Sequence, residues 1–340
     1  MAFGETKVYF DGSHYIAIPH TERPSKKRSI KIEEVITVVQ EEVKDSTENA
    51  EPLISNEENS DIVEQNDVEI NTKLSEIKPK TLRQMTKKEL FNELYSKYID
   101  ERKSQRKKLI LNDMLPYFTD KKLCEIFVHN NFERKQRNLI CRRIRMVRKA
   151  NLVDFNYFCT FTYDDKIHTE ETFKKKLQGC FKMMCHRKGW KYMGIWERAP
   201  ETKRLHFHGL FAIPDGAMVG ELKEHSDYNF KSHRRTKTLQ NDYFNTRFGR
   251  SDFEPIKSQM DMTQELTYIM KYLEKTEEKI VYSKGLYQYF ISDIMDEDIV
   301  CTIGQEDKKL LLFDDFNCWD EGVLMGKVSP EVIAQMRKCN

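Results

Sequence analysis

The sequence predicts an α+β protein, an antiparallel sheet with flanking helices, preceded by a basic helical module. Two observations carry the sheet and one carries the module. Tyr157–Tyr163 is a β-rich run of aromatic and β-branched residues, and Tyr192–Trp196 and Leu205–Ile213 read as further strands. Between the first two, Phe173, Leu177, Phe181 and Met184 recur at helical spacing over 169–188. A strand, a helix, two strands and later helices fit helices packed on an antiparallel sheet. The third observation is charge. Residues 33–77 carry 14 acidic side chains against Lys44 and Lys73, whereas residues 80–150 carry 20 Lys and Arg against 8 Asp and Glu. The overall +2 conceals this segregation, which points to a polyanionic partner.

The elements follow in order. Residues 1–32 contain a short β-like segment, Val8–Phe10 and Tyr15–Ile18 around an Asp11-Gly12 turn. Residues 33–79 lack aromatics and are rich in Glu, Asn and Ser, the composition of an acidic disordered linker. Residues 80–150 form the basic helical module, with Leu90, Leu94 and Tyr98, then Ile110, Met114 and Phe118, at helical spacing. Its last helix carries Arg134, Lys135, Arg137, Arg142, Arg143, Arg145, Arg148 and Lys149, beside an apolar stripe of Leu139, Ile140, Ile144 and Val147. Eight positive charges in twenty residues suit contacts to nucleic-acid phosphates better than a merely solvated face. Residues 151–285 form the α+β domain, with a helix over 262–276 and a short strand at Val281-Tyr282. Residues 286–340 are a C-terminal extension, with a strand at Leu310–Phe313 and a helix at Pro330–Lys338.

Several classes are set aside. No apolar stretch approaches the roughly 18–20 residues of a membrane span. The N-terminus lacks a secretory pattern, and the eight scattered cysteines contain no Cys-x-x-Cys, so a reducing cytoplasm is expected. The segment Gly322–Lys327 has neither the spacing nor the Ser/Thr of a phosphate-binding loop. Trp196 is expected in the core, and His168 and His186 at the surface.

Two constellations carry chemistry. His206 and His208 flank Phe207 on a strand, so period-two geometry sets both imidazoles on one sheet face as half of a divalent-metal site. Glu197, ending the preceding strand, is the nearest carboxylate to complete it. Composition alone produces a His-x-His in roughly one such chain in four, so the pair is weak by itself. The second constellation is Tyr268, Lys271, Tyr272 and Lys275, at i, i+3, i+4 and i+7 on one helical face, expected by chance in roughly one such chain in fifty. A tyrosine is a poor nucleophile at its ordinary pKa of about 10 and needs a cation or a metal beside it.

Together these residues resemble a known family. Phe158-x-Thr160-x-Thr162-Tyr163, then Leu205-His206-Phe207-His208-Gly209, then Tyr268-x-x-Lys271-Tyr272-x-x-Lys275 are similar to the motifs of the HUH endonuclease superfamily. The order is closest to the two-tyrosine rolling-circle replication initiators of plasmids, phages and mobile elements. The resemblance covers roughly residues 150–285 and implies a ferredoxin- or RRM-like catalytic domain. It implies a nickase that cuts and rejoins single-stranded or hairpin origin DNA through a 5′-phosphotyrosine, leaving a 3′-hydroxyl primer. It also implies Mn²⁺ or Mg²⁺ held by Glu197, His206 and His208, with Tyr272 or Tyr268 as nucleophile and Lys271 and Lys275 beside them. Strand separation and synthesis would then fall to a host helicase and polymerase, with no membrane partner. Ala212, four past His208, departs from the three-histidine relaxase pattern. The alternative is a non-catalytic DNA- or RNA-binding replication or regulatory protein, which would need neither constellation.

Overall fold

The computed structural model describes residues 2–19, 35–39, 82–199, 203–229, 233–275, 279–301 and 309–340. The chain opens with β1 (Ala2–Phe10) and β2 (Tyr15–Ile18), then β3 (Val35–Val39) and β4 (Leu82–Thr86). Three helices follow: α1 (Lys87–Lys97), α2 (Lys103–Met114) and α3 (Lys121–Ala150). The middle of the chain runs β5 (Tyr157–Thr162), α4 (Glu170–Lys188), β6 (Lys191–Arg198), β7 (Leu205–Ala212), β8 (Leu222–Asn229) and β9 (Arg234–Asn241). It continues through α5 (Asp242–Phe248), β10 (Ser251–Pro255), α6 (Gln259–Lys275) and β11 (Val281–Tyr282). The last part holds β12 (Tyr289–Met295), β13 (Ile299–Cys301), β14 (Leu310–Leu312), β15 (Asn317–Asp320), β16 (Val323–Lys327), α7 (Pro330–Gln335) and β17 (Lys338–Cys339). This is an α+β protein with antiparallel strand pairing, as the sequence predicts.

The chain divides into two compact units, Arg28–Asn131 and Met1–Lys27 with Phe132–Asn340. In the first, β3 and β4 pair as a two-stranded ribbon. Val35–Val39 thus forms a strand inside the segment expected as a disordered linker, and residues 40–81 lie outside the described residues. Thr86 opens α1 with a reciprocal capping box to Glu89, which satisfies two otherwise orphaned amides. Arg106 is buried and donates to the carbonyls of Tyr98, Ile99 and Glu101 just beyond the end of α1. That positive charge belongs to the fold, satisfying carbonyls that the helix leaves open.

The second unit holds two sheets. Seven strands pair in the order β11-β6-β7-β5-β10-β9-β8. Alternation along β5, β6 and β7 gives this sheet two different faces. Phe161, Tyr192, Trp196, Phe207, Phe211 and Phe253 point toward α4 and α5, whose Phe173, Phe181, Phe244 and Phe248 close an aromatic core. Trp190 and Trp196 are both fully buried there, so neither is a base-stacking platform. On the opposite face Phe158, Met193, Ile195 and Leu210 pack against Leu266, Ile269 and Leu273 of α6 and Leu139, Met146 and Ala150 of α3. The buried stripe of α3 therefore runs through Leu139, Met146 and Ala150, and Ile140 and Ile144 are exposed, correcting the expected stripe. Residues from Phe132 onward belong to the unit that carries the sheet, so the module read over 80–150 does not end as one body at residue 150.

The other sheet joins the two ends of the chain. β1 pairs with both β2 and β12, and β12 also takes β15 and β17, around Val8, Phe290, Ile294, Phe316 and Cys318. The N-terminal segment and the C-terminal extension, read separately from the sequence, are one structure. Arg148 at the end of α3 ties into it, bonding Asp11 at 2.7 Å and lying 4.3 Å over the Tyr9 ring. Lys149, 2% exposed, donates to the Leu286 carbonyl and the Asn340 side chain. Burial beside Arg145 lowers its ammonium pKa. Lys149 thus holds the C-terminus, correcting the expectation that it meets a phosphate.

Candidate active site

The site lies on the sheet face covered by α6. In β7, His206 and His208 point to that face, and Phe207 between them is buried on the other. Antiparallel register sets Thr162 of β5 opposite His206 and Thr160 opposite His208. Each threonine hydroxyl meets the Nδ1 of its partner, at 2.7 Å for Thr162–His206 and 3.0 Å for Thr160–His208. With Nδ1–H donating to the threonine, each Nε2 presents a lone pair, the tautomer that a metal ligand needs. The other flank of β7 is β6, where Glu197 stands opposite His206 near the strand end. Its Oε2 lies 3.0 Å from His208 Nε2, and both side chains are nearly buried.

Glu197 and His208 stand at the spacing of two ligands of one divalent cation. Glu197 Oε2 is a buried oxygen with no hydrogen-bond donor, and two ligands of one octahedral ion, each about 2.1 Å from it, are themselves about 3 Å apart. His206 stands beside His208 with ring centroids 6.0 Å apart and nearly parallel planes. The three side chains do not close around a single point: among the described residues no three His, Cys, Asp or Glu converge as a cage. Glu197 and His208 are the pair at ligand spacing, with His206 the adjacent donor. Burial, the neighbouring His208 and Arg204 lower the His206 pKa against the opposing pull of Glu197, which keeps its imidazole in the neutral, ligating form.

Helix α6 brings both tyrosines against the His208 imidazole. Tyr268 meets His208 edge to face at 5.4 Å and Phe158 at 5.8 Å. Tyr272 lies nearly parallel to His208 at 6.3 Å, and the two tyrosine rings are 5.0 Å apart. Lys271 Nζ sits 5.9 Å from the centre of the Tyr272 ring. Lys275 closes α6, and its side chain lies outside the described residues. Burial pushes the Tyr268 phenol well above its ordinary pKa, reinforced by its hydrogen bond with Tyr272 and the carboxylates of Glu197 and Glu265. Tyr268 is therefore an uncharged phenol unless a cation reaches it.

Glu265 lies one helical turn before Tyr268 and was not anticipated from the sequence. Among the described residues it has no hydrogen-bond or ion-pair partner. Burial, with Glu254 and Asp261 nearby, pushes its carboxyl up to about 7. Between roughly pH 4.5 and 7 the folded chain keeps a proton that the unfolded chain has released, so stability falls as pH rises through this window. Glu265→Gln removes that loss. Its unfolding free energy is expected to exceed that of wild type at pH 8, by about 1 kcal/mol after discounting for solvent screening, and to match it at pH 4.5. Equal shifts at both pH values in urea melts would show that the carboxyl does not titrate in this way.

Of the eight basic residues of α3 singled out by sequence, Arg137 and Arg145 are exposed, and Arg134, Lys135, Arg142 and Arg143 are half-buried. Arg148 and Lys149 are taken by the terminal sheet, as described above. His186 is exposed as expected, but His168 is 7% exposed and donates from Nε2 to the Arg247 carbonyl, correcting its surface reading.

Fold and site together describe an α+β protein with a histidine–carboxylate cluster beneath paired tyrosines. Residues 156–277, the segment spanning the whole cluster, match the family model of the ORF2-type replication-associated proteins. The match covers a little over a third of the chain and supports a role in the initiation of DNA replication, with DNA as partner. No curated protein and no solved structure matches the chain. Among the described residues, no helix is long and apolar enough to cross a membrane.

Proposed function

We propose that the protein is a rolling-circle replication initiator of the two-tyrosine HUH type, which nicks and rejoins single-stranded or hairpin origin DNA. The observation that carries this reading is the placement of Tyr268 and Tyr272 against His208, whose Nε2 faces the buried Glu197 oxygen. A phenolic oxygen attacks phosphorus, the bond from phosphorus to the 3′ oxygen breaks, and the phenol proton passes to the departing 3′-hydroxyl. The strand is then joined to the enzyme as a 5′-phosphotyrosine, and the reverse step reseals it without an outside energy source. Glu197, His206 and His208 would hold Mn²⁺ or Mg²⁺, which when bound neutralises charge on the phosphate oxygens. Lys271, its ammonium 5.9 Å from the centre of the Tyr272 ring, orients the phosphate in this reading. Glu265, with a carboxyl that titrates near neutral pH one turn from Tyr268, is the carrier for the travelling proton.

The test is incubation of the full chain with labelled single-stranded oligonucleotides tiling the DNA around its coding region, with and without Mn²⁺, on a denaturing gel. A cation-dependent, protease-sensitive covalent band is expected. Cleavage without such a band would make water the nucleophile and remove the tyrosines from the chemistry.

The exposed Arg137 and Arg145 of α3 and the half-buried Arg142 serve as phosphate contacts in this reading. Arg137, Arg142 and Arg145 changed together to Gln are expected to weaken single-strand binding and to flatten the slope of log affinity against log salt by about 2, at roughly 0.7 per lost contact. An unchanged slope in a salt titration removes α3 from the interface.

A further inference from the structure

A second site lies on the opposite face of the same sheet. Between α4 and the edge strand β11 is a cavity of about 520 Å³, within the range of small-ligand sites. Gln178, Lys182 and His186 line one wall, repeating every fourth residue along α4, and Tyr282, Ser283 and Lys284 line the other. No carboxylate among the described residues lines it. Lys182, His186 and Lys284 make no ion pair among the described residues either. The two ammonium groups facing one concavity repel each other, and an anion seated between them removes that repulsion, with the His186 imidazole N–H as a further donor. The remaining lining is mainly apolar and includes an aromatic ring, which suits a flat heterocycle better than a bare inorganic ion.

We propose that this cavity binds a nucleotide, its phosphate held by Lys182, His186 and Lys284 and its base set against the apolar wall of Tyr192 and Val281 within reach of Gln178. The nucleotide can be free, or it can be one residue of a DNA strand passing the β11 edge. On β6 the cavity wall at Tyr192 is five residues from Glu197, about 17 Å along the strand, so the site is separate from the tyrosines. A strand gripped at both places would be held across the sheet edge while it is cut. The site does not depend on the nicking chemistry, and its test is kept apart from it.

The experiment uses the full chain carrying Tyr268→Phe and Tyr272→Phe, without divalent cation, so that cleavage plays no part. One arm cross-links a twelve-residue oligothymidylate bearing 5-iododeoxyuridine and maps the modified peptides by mass spectrometry. The other arm measures binding of thymidine monophosphate and of inorganic phosphate by equilibrium dialysis. Cross-links in 178–186 or 281–284, lost together with about tenfold in oligonucleotide affinity in Lys182→Gln/Lys284→Gln, support the site with DNA as the source. Saturable thymidine monophosphate binding that the same double change abolishes, without those cross-links, supports it with the free nucleotide as the source. Inorganic phosphate binding as tightly as thymidine monophosphate overturns the nucleotide assignment. Cross-links elsewhere, with no binding of either small probe, overturn the site altogether. Far-ultraviolet circular dichroism of the variant separates loss of the site from loss of the fold.

Discussion

Phenylalanine at both 268 and 272 is expected to abolish the covalent protein–DNA band, with strand transfer falling on the order of 10³-fold or more. The aromatic contacts to His208 and Phe158 involve the rings, and phenylalanine keeps them, so the fold survives and the loss reports on the hydroxyls alone. The single variants are expected to differ. Tyr268 is held as a phenol by burial and by the carboxylates of Glu197 and Glu265, whereas Tyr272 has the Lys271 ammonium beside its ring. The electrostatics therefore favour Tyr272 for the first cut. Tyr272→Phe is expected to lose initial nicking, and Tyr268→Phe to keep it while losing the second transfer that closes the product. A covalent band that survives the double change would place the nucleophile outside α6. Bands equally weak in both single variants would show that the tyrosines act as one hydrogen-bonded unit without a fixed order.

How much of this was legible in the sequence depends on the range of the interaction. The face shared by Tyr268, Lys271 and Tyr272 follows from the pitch of one helix, and the common face of His206 and His208 from the pleat of one strand, so both could be read locally. Glu197 was legible because a short return connection sets β6 against β7. Thr160 and Thr162 stood in the motif without a role, since their pairing with the two imidazoles appears only when β5 is aligned to β7 across some 45 residues. Their alternation, matching that of His206 and His208, was the available signal. Glu265 carried none, because its perturbation depends on burial in the packed fold and then on Glu254 from a different element. The terminal sheet was missed for the same reason on a larger scale: Val8 pairs with Phe290, and no local pattern links them. His168 looked like a surface residue from its polar neighbours, but the Arg247 carbonyl and the Phe248 ring draw it inward. Lys149 read as one more positive charge in a basic run, and only the arrival of Leu286 and Asn340 reveals it as a buried tie.

Gly194→Ala is expected to have the largest effect on stability of any single methyl added to the seven-stranded sheet. Gly194 of β6 is paired directly with Gly209 of β7, and the Phe207 ring lies across both. A Cβ at 194 would lie 2.3 Å from the His208 carbonyl oxygen and 2.6 Å from Phe207 Cζ. The ring could turn aside only by pressing on Phe181, Trp196 and Phe211, its neighbours in a closed aromatic core. The carbonyl could move only by displacing the backbone of a site histidine. Overpacking of this kind costs about 3 kcal/mol or somewhat more, because neither neighbour is a flexible side-chain end. Gly179 of α4 is the matched control: a Cβ there meets nothing within 4 Å, and alanine in a helix is favoured over glycine by about 1 kcal/mol. In urea melts Gly179→Ala should therefore match or exceed wild type, while Gly194→Ala falls far below it. The same strain passes through the His208 carbonyl to the position of its ring, so whatever Gly194→Ala chain does fold should bind Mn²⁺ more weakly than wild type. A wild-type midpoint for Gly194→Ala would mean that β6 and β7 do not pair Gly194 with Gly209, and the register that sets Glu197 beside His208 would fall with it.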